Sequence, residues 1–290
     1  MVLSWSINFI VGKITLRHLD VITLMSFRIV LAALILLLIY YSSHRRARLD
    51  RRDLWTFAVL GFFGVLVNQG LFTIGLNFTT TGHSSLIIAM APILVLMLAS
   101  IKGLEALTIS KGVGMALSFT GVALLATEKG LSLRSGNLAG DLITLAGMLG
   151  FAIYAVYGKK VAARYDSVAM NTFNTLEAAI LLLPLAVYRG AHLNWAAVGW
   201  AGWAGLFYMA AISSVLGYLI FYWALRHMAA SRISAFSYVQ PLLVNALGLT
   251  LLGERFTRHI LIGGALILIG VYAAERGPAE DDDRAEASRA

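Results

Sequence analysis

Apolar residues fall along this chain in ten long blocks, at about 1–16, 22–41, 54–76, 84–101, 109–127, 138–161, 169–188, 198–225, 233–252 and 260–274. Most are near the roughly 20 residues that a helix needs to cross a hydrocarbon core about 30 Å thick. They therefore predict an all-α membrane protein of about ten transmembrane helices. The first and last blocks are short, and the first reads as a span whose leading residues are missing. It has no basic leader or small-residue cleavage site, so it is not read as a signal peptide. Nine spans is the rival count.

Between the blocks the chain carries turn chemistry. Residues 77–83 form a Thr/Gly loop, and 128–137 hold Gly130, Ser132, Ser135 and Gly136. The tail 275–290, with Glu280, Asp281, Asp282 and Asp283, reads as a disordered acidic segment in the cytoplasm.

The same pattern repeats. An offset of 149 residues pairs Phe72 with Phe221, Leu76 with Leu225, Pro92 with Pro241, Glu105 with Glu254, Gly114 with Gly263 and Gly121-Val122 with Gly270-Val271. An offset of 146 pairs Gly12-Lys13 with Gly158-Lys159 and Phe27 with Phe173. Two units result, 1–127 and 138–274, of five helices each. Five is odd, so the second unit enters the membrane from the opposite side. The expected product is an inverted repeat with a site near the membrane midplane where the halves meet.

Composition agrees with the membrane class. Of the 290 residues, 59% are hydrophobic and 13% charged, and the mean hydropathy is +0.79. A soluble domain carries about 25% charged residues. The net charge of +8 would suggest nucleic acid in a soluble chain. Here the Lys and Arg residues sit between apolar blocks and act as topology signals, so no nucleic-acid partner is expected. They divide fifteen against six between the two faces, and the richer face includes Arg45, Arg46, Arg48, Arg51, Arg52 and the tail. Both termini are therefore expected in the cytoplasm, with the lipid bilayer of a bacterial-type inner membrane as the first partner. With no cysteine, thiolate metal sites and disulfides are excluded. No nucleotide-binding motif or His-Glu-x-x-His appears, so no metal and no cofactor is expected. Nothing sets the oligomeric state, and a monomer is compatible with the sequence.

Several polar residues lie inside apolar blocks. Trp5, Asn8, Tyr154, Tyr157, Glu177, Tyr218, Tyr222 and Gln240 are the cavity candidates. Asn8 and Gln240, like the other amides Asn68, Gln69, Asn171, Asn174 and Asn245, are each also readable as bonds between helices. A tyrosine offers an apolar ring and a hydrogen-bonding tip, which suits a metabolite of mixed character. Glu177 has two readings, a site for a substrate ammonium or a coupling proton, and a structural partner for Arg28. Arg28 itself is expected to snorkel to the outer headgroups, as is Lys13. Pro92 and Pro241 recur at matching positions, and each removes a helix hydrogen bond. They are read as hinges. Trp195, Trp200 and Trp203 are read as an interfacial belt.

These residues carry a family resemblance. Phe236-Ser237-Tyr238-Val239-Gln240-Pro241, Leu252-Gly253-Glu254-Arg255, Gly263-Gly264 and Gly270-Val271 resemble the second half of an EamA-type transporter of the drug/metabolite transporter superfamily. Trp5-Ser6-Ile7-Asn8-Phe9 with Gly12-Lys13, and the run from Phe27 to Ala33, resemble its first two spans. The resemblance implies ten helices, a central cavity and gradient-driven or facilitative export of amino acids or related metabolites. A lipid-modifying intramembrane enzyme is the alternative class. It needs clustered Asp, Glu or His near a membrane surface, and the sequence shows no such cluster, so no enzymatic activity is expected.

Overall fold

The structure is a computed structural model describing residues 1–43, 47, 49–103, 108–126, 137–227 and 239–275. Arg45, Arg46, Arg48, Glu105, the segment 128–136, the run 236–238 and the acidic tail lie outside the described residues. The described residues form ten helical rods: α1 (Val2–Thr15), α2 (Val21–Ser42), α3 (Arg51–Phe78), α4 (Thr81–Ile101), α5 (Ile109–Ala126), α6 (Asn137–Ala162), α7 (Ser167–His192), α8 (Trp200–His227), α9 (Val239–Leu252) and α10 (Arg258–Glu275). Six of them, α2, α3, α4, α6, α7 and α8, are long and apolar enough to cross a membrane. The described parts of α1, α5, α9 and α10 are shorter apolar helices. At 1.5 Å rise per residue, α1 with its 14 residues covers about 21 Å.

Caps explain most boundaries. Asp20 accepts from the backbone N–H groups of Ile22 and Thr23, both at 3.1 Å, and starts α2. Asp166 does the same for α7 through Ala169 N at 2.9 Å. Each supplies an acceptor to a first-turn donor that has no partner inside the helix.

The loop expected at 77–83 is mostly helix. Only Thr79 and Thr80 separate α3 from α4. Thr80 Oγ1 accepts from His83 N at 3.1 Å. The Glu254 carboxylate accepts from Thr81 N at 2.9 Å and Gly82 N at 3.3 Å. With its free donors satisfied, α4 begins as early as Thr81. Pro92 also sits differently from the expectation of a proline inside continuous helix. The rod breaks at Ala89–Met90, and Pro92 lies in the first turn of the resumed helix, where a missing N–H costs little. Pro241 lies in the first turn described for α9, and its carbonyl accepts from Asn245 Nδ2 at 2.8 Å.

Helices α3 and α8 each contain a π-helical stretch, at Gly61–Val67 and Tyr208–Leu216. A widened turn misaligns backbone carbonyls from their usual partners, and such turns gather at functional sites.

The packing is reciprocal. Helix α1 lies on α8 and α9, while α6 lies on α3 and α4. Helix α3 packs on α7, and α8 on α2; α2 pairs with α7, and α5 with α10. At the α5–α10 crossing a Cβ on Gly121 would stand 2.5 Å from the Gly263 carbonyl, and one on Gly270 would stand 2.5 Å from the Gly114 carbonyl. Between them Ser118 Oγ donates to the Ile267 carbonyl at 3.1 Å. Two backbones this close leave no room for side chains, so glycine is required there. The buried core centres on α4, α6 and α8, where Phe151, Tyr154, Tyr218, Phe221 and Tyr222 pack ring on ring.

Candidate functional site

A cavity of about 70 Å³ lies among α1, α2, α3, α4, α6, α8 and α9. Its apolar wall includes Trp5, Phe9, Phe72, Phe151 and Tyr218, and its polar wall Asn8, Arg28, Asn68, Gln69, Ser213 and Gln240. Ile88 and Ala91 reach it from either side of the break in α4.

The π stretch of α8 organises the polar wall. It leaves the carbonyls of Ser213, Ser214 and Val215 to side chains of other helices. Trp5 Nε1 donates to Ser213 O at 3.2 Å, and Asn171 Nδ2 donates to Ser214 O at 3.2 Å and Val215 O at 3.1 Å. These bonds fix the indole against the cavity and tie α1 and α7 to α8. The Ser214 hydroxyl then links two more helices: Arg28 Nε donates to it at 3.0 Å, and it donates to Gln69 Oε1 at 2.7 Å. Asn68 accepts from the Tyr218 hydroxyl at 3.1 Å and donates to Gly147 O at 3.0 Å.

Arg28 therefore does not snorkel. It is 3% exposed and turned into the bundle. The burial of a guanidinium is tolerable only where hydrogen bonds and a polar surround replace water. Its Nη1, together with Asn8 Oδ1, Ser213 Oγ and Gln240 Oε1, has no hydrogen-bond partner among the described residues. These four polar residues all line the cavity. Unpaired buried polar atoms are costly, and their convergence on one small space is a feature of binding sites rather than packing.

Of the eight cavity candidates from the sequence, Trp5, Asn8, Tyr218 and Gln240 line this space, and Tyr154, Tyr157, Glu177 and Tyr222 do not. Tyr154 and Tyr222 form a second layer behind it, fully buried, with their hydroxyls bonded to each other and Asn174 Nδ2 donating to Tyr222 OH at 2.5 Å. The α6 face that carries Tyr154 turns towards Gly64 in the π stretch of α3, whose lack of a side chain admits the ring. Tyr157 lies beneath the Lys102 ammonium, which is 5.5 Å from its ring centroid. Glu177 is half-buried against Gly61 and Asn174, and its Oε2 has no partner among the described residues. It makes no described ion pair with Arg28. Phe9, Phe72, Met148 and Ser213 also line the cavity, and the sequence reading gave them no part in it. Among these, Phe72 was signalled by its pairing with Phe221 at the 149-residue offset.

A second, open cavity of about 300 Å³ lies at one end of the bundle, lined by Lys13, Leu16, Arg17, Asn77, Leu252 and Glu254. Glu254 thus borders this cavity while also bonding to Thr81 Oγ1 at 2.7 Å. Tryptophans Trp195 and Trp203 stack near that end, and Trp200 is 82% exposed.

Comparison with known proteins agrees with this architecture. The family described as "EamA-like transporter family" matches residues 1–127 and 138–274. An uncharacterized transporter of Archaeoglobus fulgidus is 29% identical over 276 residues, covering 94% of this chain and 95% of that protein. The uncharacterized transporter YyaM of Bacillus subtilis is 26% identical, covering 94% and 92%. A probable terminal-alkyne amino-acid exporter of Streptantibioticus cattleyicolor is 26% identical over 227 residues, covering 78% and 74%. One solved protein structure superposes with a TM-score of 0.67 at 16% identity, over 94% of this chain and 93% of that one. That likeness shows a shared fold alone.

Proposed function

The chain belongs to the EamA-like transporter family, and from that premise we propose that it is a secondary carrier exporting amino acids or related small metabolites by alternating access through the cavity at Arg28. It is a membrane transporter by family. The substrate class, the direction and the mechanism are our reading.

The observation that carries the reading is the mixed lining of the cavity. Arg28 contributes its guanidinium, and Asn8, Ser213 and Gln240 add polar atoms with no partner among the described residues. Trp5, Phe9, Phe72 and Phe151 add apolar surface to the same lining. A small molecule with a carboxylate and an apolar body satisfies both, since arginine binds carboxylates through a planar fork. A space of about 70 Å³ is below the roughly 300 Å³ of ordinary ligand pockets. Loading then requires the helices around it to part, as alternating access demands.

Reciprocal packing supports a two-unit inverted design, with 1–127 and 138–274 as the copies and ten membrane crossings. Exchanging each helix with the one five places later reproduces the principal pairings described above, and the Gly114–Gly270 and Gly121–Gly263 contacts exchange with each other under the 149-residue offset. Halves of opposite orientation let one chain open to either side at similar energy. Lys and Arg bias supports cytoplasmic termini in an inner membrane.

Purified protein in liposomes tests this. Saturable counterflow of at least one amino acid is the expected result, whereas absence of counterflow across a panel of amino acids and related carboxylates would overturn the substrate class. For orientation, single cysteines replacing Glu105 and Glu254 should react with impermeant thiol reagents from opposite faces. Reaction from the same face would end the inverted-repeat reading.

A further inference from the structure

The correspondence between the two units continues into the cavity wall. Three pairs of corresponding positions line the one space: Trp5 with Phe151 at the 146-residue offset, and Gln69 with Tyr218 and Ala91 with Gln240 at the 149-residue offset. Nearby contacts correspond as well. A Cβ on Gly12 would stand 2.9 Å from Leu76 Cδ2 and 3.5 Å from Met209 Cε, and one on Gly158 would stand 3.5 Å from Leu225 Cδ2 and 3.8 Å from Leu60 Cδ2. Those partners correspond too, Leu76 with Leu225 and Met209 with Leu60. Helix α1 thus meets α3 and α8 as α6 meets α8 and α3.

The polar lining breaks this correspondence. Asn8, Arg28 and Ser213 line the cavity, and their counterparts Tyr154, Asn174 and Gly64 do not. Where one half has an amide and a serine, the other has a tyrosine ring lying on a glycine, and a Cβ on Gly64 would overlap that ring. Tyr154 is fully buried. It stands behind two rings of the cavity wall, with centroids 6.1 Å from Phe151 and 6.0 Å from Tyr218. Its hydroxyl is bonded to Tyr222 OH, which accepts from Asn174 Nδ2 at 2.5 Å. The counterpart of Arg28 therefore holds the hydroxyl that anchors the ring.

We propose that Tyr154 fills the second of two corresponding lobes and thereby limits the length of the carboxylate that the cavity accepts. The proposal rests on the carrier and two-unit readings and names the substrate more closely, as a monocarboxylate with one compact apolar body. Among the described residues lining the cavity, Arg28 is the one cation. The position that corresponds to it carries an amide, so a second carboxylate finds no second guanidinium. A carboxylate held by Arg28 sets its apolar body against the aromatic lining. Phe151 and Tyr218 cannot withdraw from that body while Tyr154 backs them, because a close-packed interior yields little to added volume. One methylene too many in an apolar pocket is discriminated by about 10–200-fold. Tyr154 touches no part of the bound molecule and acts through the two rings in front of it.

Counterflow of unbranched 2-amino acids of increasing length, namely norvaline, norleucine and 2-aminooctanoate, tests this with the full chain in liposomes. The unsubstituted protein should favour norvaline. Tyr154→Ala should raise the rate for 2-aminooctanoate relative to norvaline by about 10-fold or more. Tyr154→Phe keeps the ring and should keep the ratio. An unmoved ratio in Tyr154→Ala, or an equal rise in Tyr154→Phe, would overturn the proposal. Should Tyr154→Ala fail to fold, Tyr154→Asn combined with Gly64→Ser gives the second lobe the residue pair that the first already holds at positions 8 and 213. The ratio should rise in that double variant, and an unmoved ratio there would equally overturn the proposal. Thermal unfolding gives a readout apart from transport. Gly64→Ser alone should melt earlier, because its side chain meets the Tyr154 ring, and adding Tyr154→Asn should restore the melting temperature. A Gly64→Ser protein that melts normally would remove the ring from the lobe and end the proposal. Absence of counterflow by the unsubstituted protein would strike the carrier reading and the length limit with it, whereas counterflow with an unmoved ratio would strike the length limit alone.

Discussion

Arg28 Nε donates to Ser214 Oγ at 3.0 Å, joining residues 186 positions apart in the chain. That bond holds a buried guanidinium against the cavity and joins it to Ser214 of the α8 π stretch, whose hydroxyl turns towards Gln69.

Replacing Arg28 tests its part in substrate binding. Arg28→Met should leave membrane insertion intact and cut counterflow of carboxylate substrates by about 10-fold or more, because a hydrogen bond to a charged group contributes about 1.5–3 kcal/mol. Arg28→Lys should recover little, since an ammonium lacks the planar fork. Counterflow rates at matched expression check both.

The α5–α10 crossing should be intolerant of bulk. Gly121→Leu or Gly270→Leu pushes side-chain atoms into the Gly263 or Gly114 backbone, and overpacking costs about 1–3 kcal/mol. Gly112→Ala is the control, because a Cβ there meets nothing within 4 Å. Thermal unfolding in detergent should drop for the first two variants and not for the third.

Acid should weaken the tie between α2 and α7. Burial raises the Asp20 carboxyl, but hydrogen bonds from Arg189 and Thr23 outweigh it and hold it below its usual value of 3.8. A depressed carboxyl stabilises the fold above its unfolded value, and that contribution is lost as pH falls through the folded one. Both partners are part-exposed, so the effect is at most about 1 kcal/mol. Asp20→Asn keeps an N-cap and removes the charge. The melting temperatures of the two proteins should differ above about pH 5 and converge in stronger acid.

Glu177→Gln should preserve insertion and substrate exchange, because Glu177 lies off the cavity, and should slow uphill transport driven by a proton gradient. Uphill transport at the normal rate would remove Glu177 from any coupling role.

The sequence by itself determined the class and the order of the helices. Twenty apolar residues have few stable options in a bilayer, so the block boundaries fell within a few residues of α2, α6 and α10. It also placed Trp5, Asn8, Tyr218 and Gln240 in one family of positions. Tertiary structure decided which way side chains point. Arg28 looks the same in sequence whether it reaches for headgroups or for Ser214, because a helix apolar on every side does not declare its inner face. Tyr154 went behind the cavity because Gly64 left room for its ring there. The His83–Asp141 pair joins residues 58 apart, and no local periodicity encodes a contact made by two helix ends meeting in space.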